Sequence, residues 1–245
     1  MHVVAALLAT VLAALLVFVQ PFTGRRRYRA LLVRISEDPA ARLSHYRRGI
    51  AGEWTSVGVI VVIGILAGRT ATSIGLQSPS DMSFTTVLLV EVALLLTIST
   101  IIMRGPKLRA AVRRQARSFL ALLPHTREER LTFAVLAVTA GICEEILFRG
   151  FGFAYVRFLW PDATDAWLIA ITSIVFGMAH LYQGARGVVL TGLAGAAFAS
   201  FTLTTGSLLP AIAAHAMIDL RILALPDLVA PDIPAAPDRE PQTAE

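Results

Sequence analysis

The chain has 245 residues, 56% of them hydrophobic and only 16% charged, with a formal net charge of +5 and a mean hydropathy of +0.67. A soluble globular domain runs at about 45–50% apolar and about 25% charged, so this composition excludes an ordinary cytosolic enzyme and a disordered chain. The positive charge does not indicate a nucleic-acid partner either. Eight basic residues lie between Arg25 and Arg48 and eight between Arg104 and Arg130, each group between long apolar runs, as membrane proteins distribute arginine.

A bilayer core of about 30 Å needs roughly 20 apolar residues per helix. Seven segments are predicted to span it, in an all-α polytopic membrane bundle. The first, 3–19, is ended by Gln20-Pro21. It reads as an uncleaved anchor, because Arg25-Arg26-Arg27 follow it and a secretory signal has the opposite polarity. The next spans are 54–66, 84–103, 131–148, 166–181, 188–203 and 208–225. Short arginine-rich loops stay cytoplasmic, so placing both basic clusters inside puts the N-terminus outside and the C-terminus inside. The chain then divides into N-terminal helices with basic loops (1–130), a second group of helices (131–225) and a tail (226–245). The tail carries five of the twelve prolines and five acids, the composition of a disordered segment. The stretch 107–117 reads as a positive-inside loop or as an interfacial helix on anionic headgroups. Cys143 is the single cysteine, which excludes an intramolecular disulfide and a cysteine zinc cluster. One lysine against 21 arginines, with abundant alanine, suggests a bacterial coding bias and hence a multi-pass protein of a bacterial cell membrane.

Ionisable residues inside a span cost about 2.5–3.5 kcal/mol each on insertion scales, so they need a reason to be there. Those predicted here are Glu91, the pair Glu144-Glu145 with Arg149, His180, and His215 with Asp219 and Arg221. Adjacent helical residues point about 100° apart, so Glu144 and Glu145 are expected in different environments. Glu145 and Arg149 stand at i and i+4, where an acid and a following base meet. Glu144 then has no partner on its own helix, and such a carboxylate in a water-poor site suits a general base. His215 and Asp219 share a helix face, either as a histidine oriented by a carboxylate or as two groups facing a substrate. Gly192, Ala196 and Ser200 form a small-residue stripe that lets neighbouring backbones approach. Bland readings exist for each: a helix-end acid reaching the headgroups, a packing histidine, a polar clamp between helices. Taken together, the carboxylates and two histidines on three spans point to a site.

In order and type, Glu144-Glu145-x-x-x-Arg149, Phe176-x-x-x-His180 and His215-x-x-x-Asp219 resemble the three motifs of the CAAX-protease and bacteriocin-processing (CPBP, or Abi) intramembrane proteases. Related to these are the CAAX prenyl endopeptidases. The resemblance covers about 131–225. It implies an intramembrane endopeptidase in which Glu144 and His180 activate water, Glu145 pairs with Arg149, and His215 with the residue four later stabilises the oxyanion. That last residue is often asparagine in the family and is Asp219 here. An ionised aspartate cannot donate a hydrogen bond, so Asp219 is protonated, orients His215 or serves a metal. Zinc would take His180 and His215 with Glu144 or Asp219. The sequence has no His-Glu-x-x-His signature and requires no cofactor. Expected partners are membrane lipids and a membrane-embedded or membrane-anchored peptide; oligomeric state is not legible. The alternative is a non-catalytic scaffold or a bacteriocin self-immunity protein of the same fold. A proton-coupled transporter using Glu91, Glu144 and His215 would carry interrupted helices or inverted repeats, and the sequence shows neither.

Overall fold

A computed structural model describes residues 2–103, 105 and 120–224; the stretch 107–117 and the tail 226–245 lie outside them. Among the described residues every regular element is helical and there is no strand. Seven rods follow in chain order: α1 (His2–Arg34), α2 (Ala41–Leu66), α3 (Met82–Met103), α4 (Arg127–Leu159), α5 (Asp165–Ala179), α6 (Gly184–Thr205) and α7 (Leu209–Leu220). Among the described residues five helices are long and apolar enough to cross a membrane, namely α1 to α4 and the helix Leu181–Thr205 that contains α6. The other two expected spans are shorter. At 1.5 Å per residue, the 15 residues of α5 and the 12 of α7 reach only about 22 and 18 Å.

Several boundaries differ from the sequence expectation: α4 runs on to Leu159, past the expected end at 148, α7 stops at Leu220, short of 225, and three others differ for a local reason. Gln20-Pro21 does not end α1. A π-helical turn over Leu15–Val19 precedes it, with the Gln20 amide donating to the Leu15 carbonyl, and Pro21 stands in the first turn of the α-helical segment that follows, where its missing N–H is tolerated, so the helix runs on through Arg25-Arg26-Arg27. The second helix starts at Ala41, thirteen residues before the apolar run, so the first basic cluster is largely helical. The fourth starts at Arg127, because Thr126 and Glu129 form a capping box: Thr126 Oγ1 accepts from the Glu129 amide at 3.1 Å, and Glu129 Oε2 from the Thr126 amide at 3.0 Å.

Contacts between chain-distant residues tie the rods together at both ends. At one end Arg42 donates to Glu129 at 2.7 Å and to the Ala121 carbonyl at 2.9 Å, and Arg47 meets Glu128 at 3.0 Å. The first basic cluster therefore sits beside the start of α4, at the end of the second cluster. At the other end Gly75 accepts from the Leu208 amide at 2.9 Å, and Gln77 donates to Gly206 at 2.8 Å. Gly206 has φ +66° and closes α6 in the left-handed conformation. Large apolar side chains on α1, α3 and the outer faces of α2 and α4 remain exposed, as lipid-facing surfaces require. The buried core lies between α4, α5, α6 and α7, around Phe148, Phe176, Phe198 and Ala211, and is joined by Ala9 and Leu12 of α1 and by Ile60 and Ile63 of α2.

Candidate active site

Glycines set the distances on which the site depends. A Cβ built on Gly141 of α4 would lie 3.0 Å from Cβ of Ala216 and 3.1 Å from the Ile212 carbonyl on α7. The two helices are therefore in near-backbone contact one turn before Glu145. A Cβ on Gly177 of α5 would stand 2.6 Å from the Val188 carbonyl and 3.3 Å from Gly192 on α6; small residues are what allow helices in a membrane to approach this far. Gly192 was expected in this role. Gly195, outside the expected stripe, is tighter than Gly192: its Cβ would meet Arg149 Nη2 and Phe176 at 2.9 Å.

These approaches bring Glu145 and Arg149 into the centre of the bundle, both side chains 0% exposed. Arg149 lies in a second π-helical turn, Ile146–Phe151, a feature frequent at functional sites. Its Nη1 donates to Glu145 Oε1 at 2.9 Å and its Nη2 to the Gly195 carbonyl at 2.8 Å. The guanidinium is 4.5 Å from the Phe176 ring centre, close enough for a cation–π contact. The same Glu145 oxygen also accepts from Nδ1 of His215 on α7 at 2.8 Å. The predicted Glu145–Arg149 pair is thus one half of a three-residue bridge.

Both histidines present the same nitrogen to Glu144. His180, at the end of α5, holds Nδ1 2.9 Å from the Phe176 carbonyl. A carbonyl only accepts, so Nδ1 carries the proton and the neutral ring leaves Nε2 as an acceptor. That Nε2 lies 4.0 Å from Glu144 Oε2, and His215 Nε2 lies 3.8 Å from the same oxygen. Asp219 Oδ2 is 3.8 Å from His215 Nε2. Phe198 stacks on His215 at 4.8 Å, and Phe176 packs against His180 at 4.9 Å, which fixes both rings. Glu144 Oε2 itself is buried without a hydrogen-bond partner.

The structure thus gathers Glu144, Glu145, Arg149, His180, His215 and Asp219 in one place. Glu144 and Glu145 do leave the helix in different directions, yet they do not occupy separate environments: they flank one imidazole, at Nε2 and Nδ1. Glu91 does not join them and is exposed on α3. Arg221 is used elsewhere, donating to Ser99 on α3 at 2.9 Å. Glu53 on α2 is the residue the sequence reading omits. It is half-buried and interacts electrostatically with Glu144 and His215. It stands one position before the apolar run that begins at Trp54, and only the earlier start of α2 makes it an intrahelical acid.

A tetrahedral zinc with bonds of about 2.0–2.1 Å separates its ligand atoms by about 3.3 Å. Glu144 Oε2 lies 4.0 and 3.8 Å from the Nε2 atoms of His180 and His215, and Asp219 Oδ2 lies 3.8 Å from His215 Nε2; among the described residues no group of three His, Cys, Asp or Glu is spaced to hold a metal ion. The donor set as it stands does not fit zinc, whereas each Glu144–histidine separation suits a water at hydrogen-bond distance from both groups.

Residues 126–221 match the family model described as type II CAAX prenyl endopeptidase Rce1-like. No curated protein and no solved structure matches the chain.

The bridge makes a stability prediction. Glu145→Ala leaves the buried Arg149 uncompensated and should lower unfolding stability by about 3–5 kcal/mol. Replacing the pair together, Glu145→Leu with Arg149→Met, should recover most of that loss. Thermal unfolding of the purified protein in detergent checks both, and a double variant no more stable than Glu145→Ala would refute the account.

Proposed function

We propose that the chain, whose residues 126–221 match the type II CAAX prenyl endopeptidase model, is an intramembrane endopeptidase of the CPBP/CAAX protease family that uses Glu144 as general base. The observation that carries the reading is the buried, unpartnered Glu144 Oε2 facing Nε2 of two histidines from two other helices. An unsatisfied buried carboxylate oxygen costs stability, and that cost has a purpose if the oxygen takes a proton during the reaction. The substrate is a membrane-embedded or membrane-anchored peptide, met in the bilayer of the cell membrane.

In this scheme one water donates one hydrogen to Glu144 Oε2 and the other to the lone pair of His180 Nε2. Its oxygen attacks the scissile carbonyl carbon as Glu144 removes the first proton, and the carbonyl π-pair moves onto oxygen. His215, held at Nδ1 by Glu145, donates from Nε2 to that oxyanion in its doubly protonated form, the positive ring being supported by the carboxylate behind it. The tetrahedral carbon then collapses, the C–N bond breaks, and the leaving nitrogen takes the proton from Glu144. Asp219, beside His215 Nε2, orients that ring. The scheme routes no step through a metal.

The orientation we propose has both basic clusters, which meet at Arg42–Glu129, on the cytoplasmic face, with the N-terminus outside and the C-terminus inside. Cysteines introduced at Arg34 and Gln77 should label from opposite sides of the membrane; labelling from the same side would overturn this arrangement. Elemental analysis of the purified protein should find well under one zinc per chain, and a stoichiometric zinc lost on His180→Ala would assign His180 to a metal instead. The central test is Glu144→Gln, which keeps size and removes the basic oxygen. Cleavage should fall by about 10²–10⁴, the contribution of a general base, at unchanged membrane abundance. A Glu144→Gln protein that is abundant and fully functional in cells would favour the scaffold or self-immunity reading.

A further inference from the structure

An oxyanion needs hydrogen-bond donors aimed at it, and the described side chains around Glu144 Oε2 are mostly acceptors or already committed. Glu144, Glu53 and Asp219 are acids. The Nδ1–H groups of His180 and His215 both point away, to the Phe176 carbonyl and to Glu145. Arg149 gives its terminal nitrogens to Glu145 and Gly195. His215 can offer Nε2–H only when doubly protonated.

Tyr182 differs. It lies two residues after His180, in the short helical turn Leu181–Gln183, with its ring 5.8 Å from the His180 ring. Gln183 Nε2 donates to its hydroxyl at 3.2 Å, and Thr191 of α6 in turn donates to Gln183 Oε1 at 3.3 Å. The hydroxyl is therefore used as an acceptor, and its own proton remains free to donate. Tyr28 of α1 packs against the ring at 5.6 Å, which restrains the phenol. The phenolic group interacts electrostatically with both Glu144 and Asp219, and its ring lies beside that of His180, whose Nε2 is turned to Glu144.

We infer that Tyr182 is a further catalytic residue, a neutral donor whose O–H binds the oxyanion alongside His215, oriented by the Thr191–Gln183 chain. The inference rests on the protease reading. It also gives Gln183 and Thr191 a role, as positioning residues that act through the phenol.

The test uses the full chain in a host deleted for it and complemented with each variant at matched membrane abundance. New protein termini in the membrane proteome are compared between wild type and Glu144→Gln, and the Glu144-dependent cleavages are then followed by pulse–chase. Tyr182→Phe, which keeps the ring and its packing on Tyr28, should slow them by about 10²–10³, the effect of removing one oxyanion donor. With a peptide spanning an identified cleavage site and protein in proteoliposomes, kcat should fall and KM stay unchanged, a split that loosened packing would not produce. Gln183→Ala should give a smaller loss of the same kind, and this variant carries the test if Tyr182→Phe does not accumulate. Tyr28→Phe, which keeps the ring against Tyr182, should cleave about as fast as wild type. Wild-type rates in Tyr182→Phe, or in Gln183→Ala where that variant stands in, would overturn the inference while leaving Glu144 in place. If no cleavage depends on Glu144, the protease reading itself falls, and the role of Tyr182 with it.

Discussion

The structure turns on one buried carboxylate oxygen. Glu145 Oε1 accepts from Arg149 on its own helix and from His215 on α7, so a single atom joins the fourth helix to the seventh. Arg149 carries the tie onward to α6 through the Gly195 carbonyl and to α5 through the face of Phe176. Four helices are thereby fixed relative to one another by a charge pair with no exposure to solvent. Breaking such a pair on one side leaves a bare charge in a low-dielectric interior, which is why it acts as a constraint and not as an incremental stabiliser.

That bridge could not form between helices at ordinary spacing. Bilayer helices gain little from burying apolar surface against each other, because lipid is as apolar as a leucine side chain, so close contact must come from small residues. Gly141 opens the way between α4 and α7, Gly177 and Gly192 between α5 and α6, and Gly195 leaves the volume that the Arg149 guanidinium fills. Each contact lies within about a turn of a site residue or directly against one. The packing and the chemistry are therefore one design: the residues that bring the backbones together also determine where the imidazoles stop.

Polar frustration is concentrated in the same place. Of the five buried side-chain polar atoms without a hydrogen-bond partner among the described residues, three belong to Glu144, Glu145 and Arg149. Buried groups are normally satisfied, and exceptions need an explanation. Here the hydrogen-bonded part of the network, Glu145 Oε1 with Arg149 Nη1 and Nδ1 of His215, supports a part that is left open, Glu144 with two Nε2 atoms. An arrangement held open in this way is pre-organised to take up a polar molecule and to move a proton, since nothing has to be reoriented first.

The sequence by itself determined the class of the molecule and most of the polar residues that the structure gathers at its centre. Apolar runs of 13–20 residues, two arginine clusters and a handful of intrahelical charges are local properties of the chain, and so is the i, i+4 spacing that pairs Glu145 with Arg149. Even the early start of α4 was written locally, in Thr126 and Glu129. What only the tertiary structure decided is which groups meet across helices. That Glu145 serves His215 as well as Arg149, that Glu53 reaches the site from α2, and that Glu91 stays outside it depend on helix rotations and crossings. Those in turn follow from whether a few glycines face a neighbour, Gly195 above all. A spacing along one helix is set by 3.6 residues per turn; the distance between two helices is set by the volumes of side chains far apart in the chain, and no local pattern contains that sum.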